Sequence, residues 1–250
     1  MSGHSKWSTI KRQKGVVDAK RSQLFTKLAS GISIAAREGG SGDPATNFKL
    51  RLAIDLARAA NMPKENIERA IGRGLGVGEK GQAPEEVVYE AFGPGGVALM
   101  ISAATDNKNR TSSEVKSALE RDGGTLVTPG AVSHLFHAIG LFTMPIQGKT
   151  IDTVMLDAAD AGADDISETE TDTGLAVEVF TKVEDLEKVK QALSDKGYTI
   201  ENAQVTMKPL ALIPIADAEI VKRAAGLIEH LEALDDVWEV YTNFAIPETV

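Results

Sequence analysis

Cysteine is absent from the 250 residues. That excludes disulfide staples, zinc–thiolate sites, iron–sulfur clusters and cysteine nucleophiles, and it removes the main sign of secretion. Aromatic residues are also scarce, at 5%. A signal peptide is not expected, because Met1 to Arg12 is polar and basic with no apolar stretch. The longest uncharged run, Gly123 to Gly148, holds 26 residues, of which 12 are clearly apolar. Pro129, His134, His137 and Pro145 interrupt it, and a membrane span needs about 20 predominantly apolar residues. A soluble protein with no membrane partner is expected. The composition, 42% hydrophobic and 25% charged, is that of a globular chain.

What is present is charge, unevenly placed. The formal sum is −9, but residues 1–80 carry 15 Lys and Arg against 7 Asp and Glu. The remaining residues hold 12 basic and 29 acidic side chains, so +8 is followed by −17. Such halves imply different partners, or different orientations toward one partner. The cations are densest at the start: Lys6, Lys11, Arg12, Lys14, Lys20, Arg21 and Lys27, with Asp18 the one acid up to Ser30. A basic arm of this kind suits polyphosphate, whose neutralisation releases counterions and makes binding salt-sensitive. The alternative is a solvated tail with no target. Screening limits the reach of the acidic remainder to about 8 Å at physiological salt, so net acidity does not exclude nucleic acid.

Periodicity predicts three helices in the basic part. They are 22–38 (Leu24, Leu28, Ile32 and Ala35 on one face), 45–60 (Phe48, Leu52, Leu56, Ala59), and one opening at Asn61-Met62-Pro63 and reaching Arg73. Gly72 to Gly81 reads as a linker. Strands are expected at 87–92 and 97–104. Thr111-Ser112-Ser113-Glu114 reads as a capping box opening a helix to Arg121. Strands at 133–138 and 141–146, a helix at 151–161, strands at 165–170 and 175–180 about an Asp172-Thr173-Gly174 turn, a helix at 184–196 and a strand at 199–207 follow. A helix at 218–234 and a strand at 237–244 end the chain. From 141 to 207 the order is strand, helix, strand, strand, helix, strand, the split βαβ arrangement. The expected class is α+β with three domains: a helical domain at 1–80, an α/β sandwich from 81–138 plus 205–250, and a second, ferredoxin-like sandwich inserted at 139–204.

Catalytic motifs are weak. Gly76-Val77-Gly78-Glu79-Lys80-Gly81 has dinucleotide-loop spacing but follows a helix and precedes a strand, the wrong context. Gly148-Lys149-Thr150 resembles the end of a phosphate loop, yet Thr143 stands where its first glycine is needed. His134 and His137, three apart on an expected strand, would face opposite sides and cannot share a metal. His230 reads as structural, and Asp235-Asp236 as an exposed helix end. No enzyme constellation, cofactor or metal is expected. The one metal alternative is the terminus: with Met1 removed, Ser2-Gly3-His4 could wrap copper(II) or nickel(II) in four nitrogens, although His4 can simply extend the basic arm. Two loops stand out. Gly93-Pro94-Gly95-Gly96 is either a turn or a place for close backbone approach. Asp106-Asn107-Lys108-Asn109-Arg110-Thr111 gathers amides, two cations and helix N–H groups suited to an anion, or satisfies its own turns.

Ser2-Gly3-His4-Ser5-Lys6-Trp7, Asp18-Ala19-Lys20-Arg21, the run from Asn61 to Ile71, Tyr89-Glu90, Gly93 to Gly96 and Asp106 to Thr111 together resemble the YebC/PmpR family. Its mitochondrial relative is the translational activator of cytochrome c oxidase. The resemblance covers essentially the whole chain. It implies three domains with the last inserted in the middle one, a non-enzymatic protein and a cytoplasmic location. It implies DNA-binding regulation of transcription or, as an alternative, association with ribosomal RNA and the ribosome that relieves stalling at proline-rich stretches. The expected nucleic-acid contacts are Lys6, Trp7, Lys11, Arg12, Lys14, Lys20, Arg21 and Lys27 of the arm, with Asn107, Lys108, Asn109 and Arg110 of the loop. The acidic α/β domains offer a surface to a protein partner.

Overall fold

The structure is a computed structural model, and it describes residues 18–77, 84–171 and 174–246. These divide into two compact units. One is Phe136–Lys208; the other takes the chain on either side of it, up to Leu135 and from Pro209.

The flanking unit opens with three helices, α1 (Asp18–Gly39), α2 (Phe48–Ala59) and α3 (Lys64–Gly74). Asn47 caps α2 by accepting from the Leu50 amide, which satisfies one of the helix's orphan donors. Leu28, Ile32, Leu50, Ile54, Met62 and Ile67 form the core between the helices. Each such side chain contributes about 1.5–3 kcal/mol on full burial. The buried stripe of α2 is Leu50, Ile54 and Ala57, with Leu52. Phe48 and Leu56 are only half-buried and Ala59 is exposed. The expected stripe was therefore rotated: Leu50, Ile54 and Ala57 also recur at helical spacing, and packing against α1 selects them. Leu24, expected inside, is exposed.

The strands β1 (Glu85–Phe92), β2 (Ala98–Thr105), β3 (Thr125–Val127) and β9 (Val237–Thr242) make an antiparallel sheet in the order β3-β1-β2-β9. Helices α4 (Lys108–Asp122) and α7 (Ala218–Glu232) belong to it and pack together. Gly93 to Gly96 is a tight turn between β1 and β2, with Pro94 buried and Gly95 at φ 77°. Short β8 (Ile213–Pro214) and β10 (Phe244–Ala245) pair in parallel. The third strand of this sheet is Thr125–Val127, not the expected 133–138. Ser133–Leu135 is a 3₁₀ turn, and the residues beyond it enter the other unit.

The helical layer meets this sheet through α1. A Cβ on Gly31 would lie 2.6 Å from the Trp238 ring. Only a glycine lets the indole lie this close to the helix backbone. Gln23 Nε2 donates to the Ala233 carbonyl at 2.6 Å, and Arg37 bonds the Pro84 carbonyl and faces Glu85 at 3.7 Å.

In the other unit, β4 (Phe136–Pro145) is one continuous strand where two short ones were expected. Gly140 does not break it: a side chain there would collide with Thr181 and Leu186. Helix α5 (Ile151–Ala161), β5 (Asp165–Thr171), β6 (Gly174–Thr181), α6 (Leu186–Asp195) and β7 (Glu201–Pro209) complete it, in sheet order β5-β6-β4-β7. This is the split βαβ order. The α+β class with several domains is as the periodicity indicates.

Candidate nucleic-acid interface

Lys6, Trp7, Lys11, Arg12 and Lys14, like His4, lie outside the described residues. The backbone of Lys20 and Arg21 is in the first turn of α1. Lys27, further along α1, donates from Nζ to the Glu232 carbonyl at 2.5 Å. A cation at the last carbonyls of α7 is favourably placed against the helix dipole. Lys27 thus fastens α1 to the end of α7, a task that sequence spacing could not show, since 205 residues separate the two.

The loop before α4 is built around one carboxylate. Helix α4 starts at Lys108 and its cap is Asn107, whose side chain accepts from the Arg110 amide. The capping box expected at Thr111 is not formed, because Thr111 is inside the helix and fully buried. Its hydroxyl lies 2.6 Å from Asp236 Oδ2 and 2.8 Å from the Thr105 hydroxyl. Thr105 also donates to Asp236 at 3.0 Å, and Arg110 bonds it at 2.7 Å. Asp236 is not the exposed helix end expected; its side chain is 16% exposed. Burial pushes its carboxyl up, but the bonds from Thr111, Arg110 and Thr105 outweigh this and hold it below the usual aspartate value.

Lys108 and Asn109 are on the outside. Lys108 pairs with Glu85 at 2.7 Å, and this bond, with the Coulomb attraction of the ammonium, lowers the Glu85 carboxyl. Arg110 is shared between Asp236 and Asp106. An incoming phosphate would have to draw each cation away. The Lys108–Glu85 pair is exposed and screened by solvent, so Lys108 is easily released. Arg110, tied to a shielded carboxylate, is not. The structure thus separates four residues that the sequence grouped: Asn107 and Arg110 shape the loop, whereas Lys108 and Asn109 present themselves.

A second carboxylate hub was not visible in the sequence. Glu90, 6% exposed, accepts from the amides of Gly130, Val132 and Ser133 at 2.7, 2.6 and 3.1 Å. Burial raises its pKa, and these backbone bonds more than reverse that and lower it overall. An acid at a buried strand position is the only signal that could have found it. His134 departs from the strand expected for it, and His230 has a partner that the sequence did not show. His134 is in the 3₁₀ turn, and His230 Nδ1 sits 2.7 Å from Asp122 Oδ2, a partner 108 residues away.

Helices α2 and α3 are joined by four residues, as in a helix-turn-helix. The exposed face of α3 carries Lys64, Glu65, Glu68, Arg69 and Arg73, and Lys64 pairs with Glu68 at 3.4 Å. Two glutamates in the opening turns oppose insertion into a phosphate-lined groove. Among the described residues, no helix is long and apolar enough to cross a membrane.

A helical layer bearing an excess of cations, followed by two acidic sandwiches, defines a class of modular α+β proteins. Residues 5–77 match the family model described as the TACO1/YebC protein N-terminal domain, and residues 84–244 match the TACO1/YebC second and third domain. The chain belongs to the TACO1/YebC family. A protein of Roseiflexus castenholzii named "Probable transcriptional regulatory protein" is 52% identical, over 98% of this chain and 96% of its own length. One of Moorella thermoacetica with the same name is 47% identical, over 100% and 98%. The crystal structure of a conserved hypothetical protein from Aquifex aeolicus is similar, with a TM-score of 0.88 and 43% identity over 98% of this chain and 99% of that one.

Proposed function

We propose that this protein is a nucleic-acid-binding regulator of gene expression in the cytoplasm, acting by binding and not by catalysis, and specifically a DNA-binding transcriptional regulator. The observation that carries the reading is the charge division, +8 over residues 1–80 against −17 beyond. The cationic end approaches the polyanion while the acidic sandwiches are repelled and so face away, which orients the molecule. The relatives' name, probable transcriptional regulatory protein, supports it. Lys6, Lys11, Arg12, Lys14, Lys20 and Arg21 supply phosphate contacts, with Lys108 and Asn109 as a second, weaker point.

A second reading is association with ribosomal RNA. The acid-bearing exposed face of α3 favours it, because recognition by backbone and shape requires no base-reading helix.

The test is a salt titration. Duplex binding by the intact chain should weaken linearly in log–log form, and Lys11→Glu/Lys14→Glu should lower the slope by about 2, at about 0.9 per lost phosphate contact. An unchanged slope would refute the arm's role. Crosslinking the protein in cells and sequencing what it holds decides between DNA and ribosomal RNA.

A further inference from the structure

At one end of the Phe136–Lys208 unit, the start of β6, the loop from β4 into α5 and the loop from α6 into β7 surround an open cavity of about 400 Å³. Small-molecule sites span about 300–1,000 Å³. Pro145, Ile146 and Leu175 make an apolar wall, and Gln147, Thr199 and Glu201 supply the polar groups. The Ile146 amide donates to the Leu175 carbonyl and ties the wall together. Leu175 is 50% exposed, so half of a large apolar side chain faces water. Gln147 Nε2 donates to Thr199 Oγ1 at 2.5 Å. The Thr199 hydroxyl proton and the Gln147 side-chain carbonyl are left for another molecule. The backbone is strained at the same place. Among the described residues three that are not glycine have positive φ, and two of them are Gln147 and Asn202, both at 52°. Gln147 lines the cavity and Asn202 follows Glu201. Such conformations persist where the surroundings over-determine them, and they collect at ligand sites.

The charge of the cavity is unbalanced. The half-buried Glu201 carboxylate has no hydrogen-bond or ion-pair partner among the described residues. Two lysines on neighbouring segments are taken by another acid: Lys196 Nζ is 2.8 Å from Asp157, and Lys149 Nζ is 3.9 Å from it and 3.6 Å from the Tyr198 ring centre. Residues 136–208 hold 14 Asp and Glu against 6 Lys, a net of −8, which raises the local concentration of small cations. We infer that this cavity binds a small aliphatic amine, with its ammonium on Glu201 and its methylenes against Leu175, Pro145 and Ile146. An ammonium offers three donors and no acceptor, and the Glu201 carboxylate and the Gln147 carbonyl both accept. The bond to Glu201 is charge-assisted, the stronger kind. A metal ion would make no use of the apolar wall, and an anion would be repelled by Glu201. At this volume the occupant is a whole small molecule; a single lysine side chain reaching in from a protein would leave part of the cavity empty. The inference does not depend on nucleic-acid binding.

The probe is butylamine, titrated into the full-length protein at constant ionic strength and followed by NMR. The Leu175 methyl signals and the Gln147 side-chain amide should shift together and saturate. Methylamine keeps the ammonium and lacks the stem, and should bind at least about fourfold more weakly, the worth of one buried methylene. Butanol keeps the stem and lacks the charge, and should produce no saturable shift. Glu201→Gln, a substitution of equal shape outside the packed core, should weaken butylamine about tenfold as a charge-assisted hydrogen bond becomes a neutral one. Leu175→Ala should instead narrow the gap between butylamine and methylamine. Shifts that never saturate, that butanol or methylamine reproduces in full, or that Glu201→Gln retains would overturn the site, as would shifts scattered over the acidic surface. N-acetyl-lysine amide binding more tightly than butylamine would overturn the free amine and assign the cavity to a lysine of a partner protein.

Discussion

Asp236→Asn isolates the carboxylate that organises the loop before α4. The substitution keeps shape and removes charge. Asp236 Oδ2 receives Thr111 at 2.6 Å, Arg110 at 2.7 Å and Thr105 at 3.0 Å. Hydrogen bonds to a charged group are worth about 1.5–3 kcal/mol and neutral ones about 0.5–1.5, so the Thr111 and Thr105 bonds each weaken by about 1 kcal/mol. The Arg110 side chain is 46% exposed, and solvent screening keeps its share out of the sum. The expected loss is about 2 kcal/mol, or about 4–8 °C in the melting temperature of a unit this size. Urea unfolding at pH 7 measures it. The pH dependence supplies the sign. The folded Asp236 carboxyl titrates below its ordinary 3.8, so its contribution is fully present above that value and fades as pH falls through the lower, folded one. The gap between wild type and variant should therefore hold from pH 7 to about 5 and close in stronger acid. A gap under about 0.5 kcal/mol at pH 7, the range of an ordinary surface change, would refute the hub.

Glu90→Ala leaves the buried amide of Val132 without its acceptor, at a cost of about 1–3 kcal/mol, and frees the part-buried amides of Gly130 and Ser133 to water; hydrogen exchange at Gly130, Val132 and Ser133 should accelerate before the rest of the unit, and uniform exchange would contradict the local role. The carboxyl of Glu90 is also held low, so this contribution is lost only as pH drops below its ordinary 4.5. Gly31→Ala should force the Trp238 indole off α1 and red-shift its emission in a Trp7→Phe background; an unchanged spectrum would show that the contact yields without cost. Lys108→Ala should reduce the salt slope of nucleic-acid binding by up to about 1 while the urea unfolding midpoint stays where it is; a midpoint shifted to lower urea would make the Lys108–Glu85 pair structural.

Much of the class was legible in the chain. Helical spacing of Leu28 and Ile32, the glycines at helix ends, and the strand-helix-strand-strand order from 141 to 207 are local patterns with one dominant solution. The boundaries that moved did so where two local solutions compete. Leu50, Ile54 and Ala57 against Phe48, Leu52 and Leu56 are both amphipathic stripes of α2, and contact with α1 chooses. Residues 133–138 could continue the flanking sheet or begin β4. Ser133–Leu135 does neither and turns as a 3₁₀ helix, and Phe136 to Ala138 open β4, which goes on to pair with β6 from Gly140–Thr181 to Pro145–Ala176.

The amino-acid sequence by itself determined the charge division, the absence of thiol chemistry and the motifs that identify the family, because these depend on composition and order alone. Tertiary structure alone decided what each charged residue does. Lys27 meets the end of a helix 205 residues away, Asp236 gathers Thr105, Arg110 and Thr111 across more than 120 residues, and Glu90 secures a turn 40 residues on. A charge acts over a few ångströms, and which charges come that close is set by how the chain packs.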